Sequence, residues 1–215
     1  MSVVAITGAN RGIGLALCHQ LSVDHEVHAL CRHPSPELEA LGVHIHAGVD
    51  VCFPQSIPLE ELPSIDILIN NAGILHRDSL DALDTDSLME QFRVNAIGPL
   101  CVTQALVPKL SSGSKVAIVT SRMGSVTDNT SGGMYGYRMS KSAVNMAGMS
   151  LAQDLKTLGI SVALLHPGFV RTDMTGGNGY ISAAESAQGL IAQIMRMTLE
   201  NTGSFWHCNG EELPW

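Results

Sequence analysis

The feature that most constrains this chain is a regular alternation. Short apolar runs rich in β-branched residues are separated by longer stretches of helical periodicity. The runs are Val3–Ile6, Glu26–Cys31, Val43–Ala47, Ile65–Ile69, Lys115–Thr120 and Ser161–Leu165, with a last short one at Ser204–His207. Near-continuous apolar runs mark strands buried on both faces, as in a parallel sheet covered by helices. The expected fold is α/β: three layers, doubly wound, with a mainly parallel sheet of about seven strands.

The helical stretches fall where that fold needs them. One spans Arg11–Leu21. A long one runs from about Asp86 towards Pro108, with Asp84 or Thr85 as its cap. Another covers Tyr137–Leu158 and stops before Gly159. The last, Ala183–Leu199, opens with Ser182 three residues before Glu185, the spacing of a capping box. Pro34 and Pro36 leave room for only a turn or two around Glu37–Leu41, and Pro54, Pro58 and Pro63 interrupt the stretch after Asp50. Helices two and three are therefore expected to be trimmed.

At 215 residues, 45% hydrophobic and 15% charged, the chain is expected to form one folded domain over 1–215. A net charge of −8 without any basic cluster argues against a nucleic-acid surface, which needs grouped Lys and Arg. No apolar run reaches the roughly 20 residues of a membrane span. The N-terminus enters a strand-like run at once, without a charged region and cleavage site, so a cytoplasmic location is expected. Five scattered cysteines with no CxxC fit free thiols. His44 and His46 share one face of an apparent strand, but no Cys or carboxylate completes a ligand set. A surface or packing role, and no metal, is expected there.

Strand one runs into Thr7-Gly8-Ala9-Asn10-Arg11-Gly12-Ile13-Gly14 and then a helix. Glycines in that context let backbone N–H groups approach a pyrophosphate, and the helix N-terminus favours the anion. The spacing is Gly-x3-Gly-x-Gly rather than the commoner Gly-x-Gly-x-x-Gly, so a plain tight turn stays open as the other reading. The end of strand two reads Leu30-Cys31-Arg32-His33, with no acid to bind a ribose 2′-hydroxyl. Arg32, assisted by Arg11, is placed to pair with a 2′-phosphate; the alternative is that both are solvated arginines.

Beyond the fifth strand, Ser121 precedes Tyr137 by sixteen residues, and Lys141 follows Tyr137 at i+4 on the same helix face. An ammonium close to a phenol lowers a pKa ordinarily near 10, which makes such a pair a proton donor and acceptor. By spacing alone, a packed tyrosine beside a solvated lysine is the competing reading. Tyr135 has Met139 at i+4 and lacks the lysine.

With these motifs in order, the chain resembles the classical short-chain dehydrogenase/reductases almost end to end. Thr7–Gly14 is similar to the family's TGxxxGxG loop, Asn70-Asn71-Ala72-Gly73 to NNAG, and Asn95 to the helix-four asparagine. Ser121, Tyr137 and Lys141 match the catalytic set, and Pro167-Gly168-Phe169-Val170-Arg171-Thr172 matches the segment after strand six. The resemblance implies a Rossmann fold and an NADP(H)-preferring oxidoreductase of carbonyl or alcohol substrates, with NAD(H) possible. It implies that Tyr137 protonates the carbonyl oxygen, Ser121 hydrogen-bonds it, and Lys141 holds the nicotinamide ribose. It implies that Asn95 supports a water relay, that Asp50 touches the adenine, and that Asn71, Ala72 and Gly73 lie beside the adenosine. Val170 and Thr172, after Pro167 and Gly168, are implied to hold the carboxamide.

Within the family the likeness is to small C-factor-like members, through Ser121–Ser125, Asp128–Gly133, Tyr135–Arg138 and the ending Leu213-Pro214-Trp215. Some of these are discussed as signalling factors, so a nucleotide-binding regulatory protein with little turnover is the alternative reading. The segment Asp173–Ile181 carries three glycines and is too short for a large lid, so an open substrate site is expected, with Met123, Met174 and Tyr180 as wall candidates. Family likeness and the small-residue and methionine face of the Tyr137 helix imply a homodimer or homotetramer.

Overall fold

The computed structural model describes residues 1–215. Seven parallel strands form one sheet: β1 (Val3–Thr7), β2 (Glu26–Leu30), β3 (His44–His46), β4 (Ile65–Asn70), β5 (Leu110–Val119), β6 (Ser161–His166) and β7 (Ser204–His207). Their order is β3-β2-β1-β4-β5-β6-β7. The connection reverses between β1 and β4, which leaves a crevice beyond their carboxyl ends, the usual ligand position in such a sheet.

Side-chain alternation divides the core. Val4, Ile6, Val27 and Ala29 pack on one face against Leu17 and Cys18 of helix α1 (Gly12–Leu21) and Leu190 and Ile194 of helix α6 (Ala183–Arg196). Ala5, Leu68 and Ile118 face the other side, with Val102 and Leu106 of helix α4 (Gly98–Leu106) and Val144 and Leu151 of helix α5 (Tyr135–Lys156). Successive residues of a buried strand serve opposite cores, which is why these strands read as unbroken apolar runs.

The trimmed connections are present. Between β2 and β3 there is one turn of helix, α2 (Pro36–Glu39), capped by Ser35 and pinned by buried Leu38. Between β3 and β4 there are only two 3-10 turns, Pro54–Ser56 and Leu59–Glu61. The long helix expected from Asp86 towards Pro108 is divided. Helix α3 (Thr85–Phe92), capped by Asp84, runs into a π-helical turn at Arg93–Ile97 and then α4 (Gly98–Leu106). Pro99 has no N–H for a continuous helical ladder, and a Cβ on Gly98 would stand 3.1 Å from the Val51 side chain.

Helix α5 (Tyr135–Lys156) starts two residues before the expected Tyr137, and α6 ends at Arg196 rather than Leu199. The Ser182–Glu185 capping box is formed. Strand β5 begins at Leu110, five residues before the apolar run, because Leu110 pairs with Ile65 before the register shifts. No helix is long and apolar enough to cross a membrane. All five cysteines are free thiols.

Candidate active site

The glycine loop owes its shape to long-range contacts. Gly8 sits at φ +66°, and a Cβ there would lie 2.8 Å from the Cα of Ala72. Gly14 has no room for a side chain either, since a Cβ would fall 2.2 Å from the Gly8 carbonyl oxygen. The Thr7 hydroxyl accepts from the N–H groups of Asn71 and Ala72 at 3.0 and 3.1 Å, and Asn71 Nδ2 donates back to the carbonyls of Thr7 and Gly8. The loop after β4 thus clamps the loop after β1.

Arg11 offers no side-chain cap to α1, and the first turn of α1 carries no acid. Its leading N–H groups thus have no side-chain partner, and Gly12 and Ile13 of that first turn line the crevice at the positive end of the helix dipole. That geometry, with Gly8 and Gly14 held free of side chains, fits a pyrophosphate.

The crevice has a volume of about 400 Å³. One end is walled by Arg32, His33 and Asp50; the middle by Gly8, Asn10, Arg11, Gly12 and Ile13 on one side and Asn71, Ala72 and Gly73 on the other. The far end holds Tyr137 and Lys141; Pro167, Thr172 and Met174 also line the crevice, with Thr172 beside Gly12. Arg11 forms an exposed ion pair with Asp173 at 3.8 Å. Asp50 accepts from the Cys52 N–H through its carboxylate, and its own N–H donates to Ser56. Gly14, Gly168 and Val170 stand behind the wall. Gly168 is at φ +86°, packed on Ile181, and buried Val170 bridges to Ile181.

At the far end Ser121, Asn95, Tyr137 and Lys141 are all buried. Ser121 leaves β5 and accepts from the Met123 N–H at 3.1 Å, which folds Arg122–Gly124 into a 3-10 turn. That turn lies against α5: a Cβ on Gly124 would come within 2.7 Å of the Lys141 backbone. Lys141 Nζ donates to the Val119 carbonyl at 3.0 Å and stands 5.7 Å from the centre of the Tyr137 ring. Asn95 sits in the π-helical turn, a common device at functional sites. Its side chain accepts from the Ile74 N–H at 2.8 Å and donates to the Ile74 carbonyl and Ser140 Oγ, and Ser140 donates in turn to the Tyr137 carbonyl.

Burial governs the titration of this group. It pushes the Tyr137 phenol up to about 12, with the Ser121 hydroxyl pulling the other way. The i,i+4 spacing predicts a value lowered by Lys141; in the folded protein burial is the largest cause and raises it. Burial brings Lys141 down to about 8.

Residues 2–179 match the family of the short chain dehydrogenases. This chain is a member of the short-chain dehydrogenase/reductase family. It is 41% identical, over the full length of both chains, to the 1-hydroxy-2-glutathionyl-2-methyl-3-butene dehydrogenase of Rhodococcus sp. strain AD45. It is 45% identical over 154 residues to the C-signal protein of Myxococcus xanthus, covering 70% of this chain and 93% of that one. Among solved structures, NADPH-bound carbonyl reductase from chicken fatty liver superposes with a TM-score of 0.90 at 28% identity, covering 100% of this chain and 99% of that one. The protein is an oxidoreductase of the class that acts on carbonyl and alcohol groups.

In this short-chain dehydrogenase/reductase several supporting residues carry no local sequence signal. Asp78 accepts from the N–H groups of Tyr135 and Gly136 and so caps α5 two residues before Tyr137, just after Met134 at φ 51°. Ser140 is hidden in the same way. Of the three wall candidates, Met174 lies in the crevice. Met123 stays beside Ser121, and Tyr180, 86% exposed, packs edge-on against Phe169 outside it. The segment Glu211–Trp215, whose ending carries the likeness to C-factor-like members, supports the site: Trp215 packs on Phe205, and its main-chain oxygen accepts from the Thr127 N–H in the loop after Ser121.

Proposed function

We propose that the chain is an NADPH-dependent carbonyl reductase or alcohol dehydrogenase, with residues 1–215 forming one unit that carries both cofactor and substrate sites. The observation that carries this reading is the crevice itself. It joins an uncapped helix N-terminus and an end where Arg32 follows β2 in place of an acid to a buried Ser121–Tyr137–Lys141 group.

When bound, the nicotinamide supplies or accepts the hydride. The first turn of α1 and the Gly8–Gly14 loop hold the pyrophosphate. Arg32, assisted by Arg11, takes the 2′-phosphate through charge-assisted bonds that NAD(H) lacks. Asp50 lies at the adenine, with Asn71, Ala72 and Gly73 beside the adenosine. Pro167 and Gly168 bring Val170 and Thr172 to the carboxamide.

The phenol of Tyr137 keeps its proton at neutral pH and delivers it to the carbonyl oxygen as negative charge develops there. Ser121 donates a hydrogen bond to the same oxygen. Lys141 holds the nicotinamide ribose and offsets the charge left on Tyr137. Asn95 has its side-chain groups committed to Ile74 and Ser140, so it supports the proton relay through its main chain.

The substrate is a small carbonyl or alcohol compound in an open site walled by Met174, with Met123 beside Ser121. Exposed Leu100, Met139 and Met146 on α4 and α5 supply an apolar face for a homodimer, or for a homotetramer built from it. The workplace is the cytoplasm. A regulatory reading rests on the likeness to the C-signal protein, with nucleotide bound and little turnover.

The test is oxidation of NADPH, with NADH in parallel, across aldehydes, ketones and quinones. Turnover faster with NADPH supports the proposal. Binding of NADPH without turnover of any carbonyl moves the reading to regulation.

A further inference from the structure

We propose that Glu26, His28 and His44 form a binding site for one divalent transition metal ion, of the Zn(II) class, at the β3 edge of the sheet. Glu26 and His28 lie two apart on β2 and so share a face, and His28 is paired in register with His44. The ligand atoms of the three side chains all lie within 4.8 Å of one another. Glu26 Oε1 stands 3.0 Å from His28 Nε2 and 3.7 Å from His44 Nε2. Donors around one tetrahedral Zn(II) lie about 3.3 Å apart, given metal–ligand distances of about 2.0–2.1 Å. Neutral imidazole and carboxylate are a suitable donor set for this ion. His28 is buried and His44 exposed, which fixes one ligand and leaves the fourth coordination position to water. The sequence supplied His44 without a carboxylate partner; the fold brings Glu26 to it from the neighbouring strand.

The surroundings favour a metal over a simple hydrogen-bonded cluster. His28 Nδ1 is 3.0 Å from His46 Nε2, and His46 Nδ1 is 3.6 Å from Glu61. With His28 Nε2–H donated to Glu26, His28 Nδ1 must accept from His46 Nε2–H. A neutral His46 then turns a bare Nδ1 lone pair towards the Glu61 carboxylate, a repulsive contact. A metal on His28 Nε2 reverses the chain. His28 Nδ1–H donates to His46 Nε2, and His46 Nδ1–H points at Glu61, so every contact becomes favourable. This is the ordering that a ligating histidine obtains from a histidine and a carboxylate behind it. The site exists because the connection after β3 is trimmed. Two 3-10 turns follow in place of a helix, and the second, Leu59–Glu61, delivers Glu61.

The experiment is isothermal titration of Zn(II) into untagged protein stripped of metal. Wild type should bind one equivalent that His44→Ala and Glu26→Gln each lose, with circular dichroism unchanged because His44 is exposed and Glu26 partly so. Glu61→Gln should keep the stoichiometry and weaken binding by about 10- to 100-fold, as loss of a carboxylate behind a ligating histidine does. The proposal is overturned if wild type binds no Zn(II), or if His44→Ala and Glu26→Gln bind it as wild type does. An unchanged affinity in Glu61→Gln would overturn the relay argument for it.

Discussion

Replacing Lys141 by Met should remove activity and raise stability. Lys141 is buried, and its pKa falls from 10.5 to about 8 with desolvation as the cause. That difference corresponds to about 3 kcal/mol by which the folded state disfavours the ammonium. The sign follows from proton counting. Between about 8 and 10.5 the unfolded chain holds the proton and the folded one has released it, so the penalty is full below 8 and vanishes as pH rises towards 10.5. Methionine removes the charge but leaves the Val119 carbonyl without its donor, at a cost of about 1–3 kcal/mol. The net expectation at pH 7 is a gain of between 0 and about 2 kcal/mol. Urea unfolding without nucleotide measures it. The advantage of Lys141→Met should shrink by about 1 kcal/mol between pH 7 and pH 9 as wild-type Lys141 loses its proton. A clear loss of stability at pH 7, or a difference that does not move with pH, would refute the reasoning.

Other perturbations probe other parts of the account. Gly8→Ala forces an alanine into φ +66° with its Cβ 2.8 Å from Ala72, and should lower stability by about 1–3 kcal/mol and weaken nucleotide binding, read by thermal melts with and without NADPH. Arg32→Ala should raise KM for NADPH about 10- to 100-fold and leave that for NADH unchanged, in line with about 1.5–3 kcal/mol for hydrogen bonds to a charged group. Burial, with His207, Arg122 and Lys141 adding to it, holds His166 down to about 3. The unfolded chain therefore takes up its proton first as pH falls below 6.5, and wild type should lose about 2 kcal/mol at pH 5 through this residue, a loss His166→Gln should escape in urea titrations. Light scattering should show a dimer or tetramer that Met146→Glu, on the exposed face of α5, drives towards monomer.

The strands were legible to within a residue or two, apart from the start of β5, because apolar β-branched runs carry their own signal. Leu110–Ser114 joins β5 only through its neighbour Ile65, and Ser-Ser-Gly-Ser reads locally as a turn. The π-helical turn at Arg93–Ile97 was invisible for a related reason, since apolar periodicity around it continues through both flanking helices. Tyr137 and Lys141 stand out because their partnership is one helical turn apart. Asp78 and Ser140 do not, because each reaches its partner through tertiary folding. The direction of the Tyr137 shift was misjudged because i,i+4 spacing records a neighbour but not the loss of solvent around it. Glu26 and His44 are eighteen positions apart in the chain, and only strand pairing makes them neighbours.

The most direct test of the central claim is to compare wild type with Tyr137→Phe in two measurements on the same preparations: NADPH affinity by fluorescence titration, and NADPH oxidation with the best carbonyl substrate. The account predicts unchanged affinity and a fall in turnover of about 100- to 10,000-fold, the contribution typical of a positioned proton donor. Full turnover in Tyr137→Phe, with NADPH bound as in wild type, would contradict the assignment of Tyr137 as the acid.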